Sequence, residues 1–400
     1  MKNALPTALA TALFLACNAG SDAIDAAGPA PAPDAPPPGD PGPYVALGLN
    51  DVTILAPVPK DAAGALLGAS DSADDGAAIV PRDVFERVAL PPVPESGTMP
   101  VVPAETYDRL QVVAVRFDLC DRNLPGACAA ADDGRVRLVF QPFSAGGFDD
   151  IGFHAFYSVP AAEIAEMVKD VRELAELQSA PRTSPLEVSP ALSAGKADYR
   201  DKLRAMLRRR AGGTKLVRLT MNAQPLVFSQ VRWVMRGVEK KDGAFVDTVI
   251  PGVAGSTQEV ITSGPTGFES KPVVEAPAGL SEVIDDTTFA AATDARKREL
   301  LDVLADADNP KETAPDTVSC IACHTSTALM DVRAKSLGVD PKTIPRVYTS
   351  SYDLSVGGLL RERRVIRALG YFGDAPMISQ RVVNDSAQVL DELDARFPPR

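Results

Sequence analysis

Histidine is what this chain has least of: two, His154 and His324, in 400 residues. They supply no zinc-binding histidine pair, and with His324 placed in a motif described below, any histidine-based triad rests on His154 alone. A Gly-rich phosphate loop and a Gly-x-Ser-x-Gly element are also missing. Positive charge is in deficit. Lys and Arg number 41 against 53 Asp and Glu, a formal net charge of −12. A nucleic-acid partner would need a basic footprint instead, so that class of function is excluded.

Proline and glycine are plentiful, 35 and 29 residues. Many fall in the first hundred positions, so part of that region reads as linker or loop. The remainder has an ordinary globular balance, 45% apolar and 24% charged, with length enough for two domains.

Lys2 followed by the uncharged run Ala4 to Ala16 reads as a targeting segment, too short to span a bilayer. The run ends Leu13-Phe14-Leu15-Ala16-Cys17, which resembles a bacterial lipoprotein signal. The resemblance implies that residues 1–17 form the signal and that Cys17 carries the lipid. Cleavage nearby, with Cys17 incidental, is the alternative. Residues 18–43, rich in Ala and Pro, would be the tether between anchor and folded body.

Residues 44–275 alternate between strand-like and helix-like patterns. Leu110 to Leu119 reads as a buried strand, and Arg135-Val136-Arg137-Leu138 alternates as a half-buried strand does. Gly152 to Val159 feeds a helix after Pro160, a second helix covers Ala197 to Ala211, and Lys241-Asp242-Gly243 marks a hairpin turn before Phe245. Pro272 to Gly279 looks like a boundary. Beyond it, helices are expected at Thr287–Ala305, around Ala328–Leu337, at Leu359–Leu369, and at Asn384–Phe397 with Asn384 as N-cap. The fold class expected is α+β: a mixed domain over 44–275, followed by a mainly helical one over 280–400.

Inside the helical stretch stands Ser319-Cys320-Ile321-Ala322-Cys323-His324. Two thiols separated by two residues match the two vinyl groups of a haem, and the adjacent histidine is placed to bind the iron. Three other readings exist. A zinc site wants two further ligands at short spacing, and none lies near. A thioredoxin-like dithiol wants a strand before it, whereas Asn309 to Ser319 is a proline-containing loop. A plain disulfide does not require His324. The two remaining cysteines, Cys120 and Cys128, flank a short loop and would close a disulfide in an oxidising compartment, two free buried thiols being the alternative.

On this motif, residues 280–400 resemble the c-type cytochromes. The resemblance implies a helical cytochrome c-like domain with one covalent haem c on Cys320 and Cys323, and His324 as iron ligand. Methionine-ligated members place a methionine before a final helix, and Met377 occupies that place. Here a loop precedes the motif where the family usually runs a helix straight into it. Met330 reads as core packing, and His154 as a buried structural histidine, although a bis-histidine haem would have no other choice. An open iron position is the remaining possibility. Arg361, Arg363, Arg364 and Arg367 crowd one segment, and one of them is expected to meet a haem propionate.

The function expected is therefore an exported, lipid-anchored c-type haem protein of the cell envelope, on the periplasmic side or outer surface. It would carry electrons to or from a redox partner protein rather than catalyse. The alternatives are a haem enzyme or gas-binding sensor with an open iron site, and a cofactor-free interaction lipoprotein. The role of residues 44–275 is not legible.

Overall fold

Runs of β-branched and aromatic residues follow one another through the middle of the chain with short connections, a pattern that favours each strand pairing with its predecessor. A computed structural model describes residues 46–61, 64–89, 102–119, 133–144, 147–178, 183–224, 232–263, 266–314, 317–356, 366 and 368–397. The signal and tether, Cys17, the Cys120–Cys128 pair and the arginines 361, 363, 364 and 367 lie outside those residues.

Ten strands form one antiparallel sheet. They are β1 (Thr53–Leu55), β2 (Leu110–Leu119), β3 (Gly134–Ser144), β4 (Gly147–Phe148), β5 (Ile151–Val159), β6 (Leu216–Ala223), β7 (Arg232–Lys241), β8 (Ala244–Asp247), β9 (Thr257–Ser263) and β10 (Gly267–Lys271). Their order is β1-β2-β3-β5-β6-β7-β9-β10, with β4 added to β3 and β8 to β7. The β7–β8 hairpin turns where the sequence indicates. Asp242 and Gly243 have φ of 51° and 82°, the double left-handed conformation whose twist matches the flanking strands.

Alternation along the strands divides the sheet into two unlike faces. One carries Phe117, Val136, Leu138, Phe153, Tyr157 and Leu219 into the larger core. The helix Arg82–Ala89 packs there, with the Phe85 ring 5.2 Å from that of Phe153. The helices Ile164–Gln178 and Ala197–Arg210 add their apolar stripes to the same core. Arg210, at the end of the second, reaches Asp170 of the first at 2.7 Å. The other face is polar. Register places Arg116, Arg137, Phe156 and Arg218 in one row across β2, β3, β5 and β6, with His154 and Thr220 in the next.

The expectation of a mainly helical, cytochrome c-like domain over 280–400 is overturned. That stretch contributes helices to the large antiparallel sheet and adds a hairpin of its own, β11 (Leu369–Phe372) with β12 (Ala375–Ile378). The closing helix, Gln380–Arg396, buries Val382, Val383, Leu390 and Leu393 in the core shared with β2 and β3. The Oγ1 of Thr53 on β1 lies 2.6 Å from its Ser386 Oγ. An amphipathic stripe states that a helix is buried on one side, and says nothing about what buries it. Local corrections follow the same lines. The helix expected at Thr287–Ala305 is two, Asp286–Ala291 and Asp294–Asp308, because Thr293 turns outward to cap the second. Leu369 belongs to β11 rather than to a helix. Ser379 caps the closing helix, while Asn384 sits inside it and donates its Nδ2 to the Asp308 carbonyl at 2.7 Å.

A second core joins Trp233 and Met235 of β7, Val260 of β9 and Phe268 of β10 to the helices Leu280–Ile284, Asp294–Asp308 and Cys320–Ser336. Residues on both sides of Pro272–Gly279 share it. The polar face of the sheet is thereby roofed by the C-terminal third of the chain.

Candidate functional site

The motif opens the helix Cys320–Ser336, with Ser319 as N-cap accepting from Ala322 N–H at 3.4 Å. One bond ties this first turn to the sheet, and a second holds its acceptor in place. Ile321 N–H donates to Gln258 Oε1 on β9 at 2.9 Å, and Gln258 Nε2 donates to Ser270 Oγ on β10 at 2.8 Å. One turn further on, Ser326 and Thr327 donate to the Asp308 carboxylate at 2.5 Å and 3.1 Å, fixing the motif helix to the one before it. Spacings of three and four residues put Cys320, Cys323 and His324 on one face of the helix.

His324 is held in a defined tautomer. Its Nδ1 lies 3.1 Å from the Ile366 carbonyl, and a carbonyl only accepts, so Nδ1 bears the proton and Nε2 keeps its lone pair. Asn222 of β6 donates to the same carbonyl at 2.7 Å. This is the outer-shell bond that orients metal-binding imidazoles in general.

The helix face bearing the motif and the polar face of the sheet enclose a partly open cavity of about 90 Å³. Cys320, Cys323 and His324 line one wall and His154 and Phe156 the other. All four titratable residues keep partly accessible surface, while Ile321 and Ala322 between the cysteines are wholly buried. The two histidine rings stand 6.4 Å apart, centroid to centroid, with planes inclined at 68°.

Five arginines and one aspartate line the cavity among the described residues. Four of these arginines are paired with carboxylates: Arg116 and Arg137 with Asp118, Arg236 with Asp247, and Arg381 with Asp385. A network holds part of the lining rigid. Arg381 Nε donates to Asp385 Oδ1 at 2.6 Å, Arg116 Nη1 to Asp385 Oδ2 at 2.7 Å, and Arg116 and Arg137 pair with Asp118 at 2.5 Å and 3.1 Å. Arg137 also stands over the Phe156 ring at 4.7 Å.

Burial sets the protonation states. It pushes the Cys320 thiol up to about 12 against the opposing pull of Arg218, and it raises Cys323 as well. A redox dithiol needs the opposite shift, since the thiolate is its nucleophile. Burial also lowers both imidazoles. His154 falls to about 3, helped by His324 and Arg137, while the Ile366 bond partly opposes the effect at His324. The site thus offers two protonated thiols and two neutral imidazoles. Together with the arginine lining, this donor set fits a haem with its two vinyl groups and two carboxylates.

The other expected ligands lie elsewhere. Met377 is buried on β12 opposite Gly370 and Met330 packs in the second core, and neither lines the cavity. No group of three or more His, Cys, Asp or Glu able to hold a bare metal ion occurs among the described residues. Sequence reasoning missed the pocket's Arg116, Arg137, Arg218, Arg381 and Asp385. The only signal was a charged residue at every second position of otherwise apolar strands, which reads equally well as a face turned to water. Comparison of the chain with protein-family models, with curated proteins and with solved structures finds no match in any of the three.

Proposed function

We propose that this chain carries one haem c, attached through Cys320 and Cys323 with His324 on the iron, and works in electron transfer. One observation carries the reading: both cysteines of the motif and the chain's two histidines line a single cavity. Cys320 and Cys323 would hold the group through two thioether links, each a net addition of one S–H across one vinyl group that consumes no oxidant. His324 presents Nε2 while the Ile366 carbonyl fixes its ring. The cavity arginines would offer N–H groups not used in their own ion pairs to the propionate carboxylates. The bound haem supplies one-electron exchange between ferrous and ferric iron.

The targeting segment accords with this, since covalent haem attachment in bacteria takes place outside the cytoplasm. The proposal therefore includes export, a lipid anchor at Cys17, a place on the periplasmic side or outer surface of the envelope, and a redox partner protein. Intact mass is the test. Chain expressed with the haem-attachment machinery should carry an added mass of about 616 Da, that of haem b itself, which survives acid-acetone extraction and disappears in the Cys320→Ala/Cys323→Ala double variant. A colourless chain of unmodified mass would refute attachment.

A further inference from the structure

We infer that His154 is the second axial ligand, so that the iron is closed on both sides; this rests on the attachment proposed above. Two imidazoles bound to opposite sides of one metal ion at about 2.0 Å each have centroids ~6 Å apart. The rings of His154 and His324 stand at 6.4 Å. Both are held by rigid supports. His154 sits mid-strand on β5, paired through its backbone with Val139 on one side and Thr220 on the other. His324 is fixed by the Ile366 carbonyl.

His154 is partly accessible and lines the cavity, and its ring makes no hydrogen bond to the described residues. A neutral imidazole there keeps a nitrogen lone pair for a metal ion. His154 stands on the large sheet and His324 on the roof, so coordination by both would tie the motif helix to the strands beneath it. A doubly ligated iron has no vacant position for gas or peroxide, which separates an electron carrier from a sensor or an enzyme.

The test uses the full chain with its haem attached, and reads the spectrum and the mass side by side. Wild type should be low-spin in both oxidation states and inert to carbon monoxide. His154→Ala should keep the haem mass, become high-spin, and bind carbon monoxide stoichiometrically when reduced; added imidazole should restore the low-spin spectrum. If the alanine variant does not accumulate, His154→Met decides, a change to a histidine–methionine spectrum supporting the assignment. A wild type that is high-spin, or a haem-loaded variant whose spectrum is unchanged, overturns His154 and leaves attachment standing. A wild type with no added mass overturns the attachment, and the ligand assignment with it.

Discussion

Asp385→Ala probes the charged frame of the cavity. Asp385 is 4% exposed and accepts from two guanidinium groups, Arg381 at 2.6 Å and Arg116 at 2.7 Å. Removing one member of a buried ion pair leaves its partner's charge uncompensated and typically costs about 3–5 kcal/mol. Here both partners keep other contacts. Arg116 retains Asp118 at 2.5 Å, and Arg381 retains the carbonyls of Ala307 and Thr313 at 2.8 Å and 2.6 Å. That places the loss at the lower end, about 3 kcal/mol. In urea unfolding at neutral pH, followed by far-ultraviolet circular dichroism, the midpoint should fall by roughly 1 M with little change of slope. Glu269→Ala is the control, since Glu269 is 51% exposed and pairs with Lys271 at 3.3 Å; it should cost less than about 0.5 kcal/mol. Equal losses in the two variants would refute the claim that the network is a buried, coupled unit.

Three further outcomes are expected. Gln258→Ala strips the Ile321 amide of its acceptor at a fully buried position, while Ser270 keeps its bond to the Pro272 carbonyl; it should lower stability by about 2 kcal/mol and reduce the haem-loaded fraction in intact mass, and an unchanged midpoint would refute the anchoring role. Gly370→Ala should cost about 3 kcal/mol by the same assay, because at φ 150° an added Cβ would meet Gln141 Oε1 at 2.4 Å and displace it from the Tyr371 amide; full stability would mean the hairpin is not seated there. Asp286 concerns pH. Burial pushes its carboxyl up, but hydrogen bonds from Thr266 and Arg333 outweigh that and hold it below its ordinary value. A group lowered in the folded state adds stability above its unfolded pKa and loses it as pH falls through the folded one. Asp286→Asn should therefore destabilise the protein near neutrality and progressively less below pH ~4; a gap in urea midpoints that does not narrow on acidification would refute it.

Much of the strand content was legible: β2 follows from its β-branched run, β3 from the alternation at Arg135–Leu138, and the Asp242-Gly243 turn from turn chemistry. What misled was the C-terminal third. Its helices were expected to make a core of their own, because periodicity reports a buried stripe without naming its partner. The closing helix illustrates this: Val382 and Leu390 face the strands of the large sheet, some 270 residues back in the chain at the Arg116–Asp385 contact. The boundary between Asp286–Ala291 and Asp294–Asp308 was lost because the capping propensity of Thr293 is a local signal weaker than the apolar pattern that runs across it.

The motif at Cys320, Cys323 and His324 is fully specified by sequence, because its chemistry depends on spacing along a single helical turn. The expectation of a haem stems from those few residues and needs no fold. His154 could not be assigned in that way. It lies 170 positions before His324, and from the chain alone it is one polar residue in an apolar strand; only the pairing of β3, β5 and β6 and the roofing of that face bring its ring to 6.4 Å from the other. The same holds for Arg137 and Arg218, whose alternating positions read as a surface turned to water until a distant helix covers them. Local spacing can encode attachment chemistry, but which polar face is solvated and which becomes a pocket is a property of long-range packing, and the tertiary structure alone decided it.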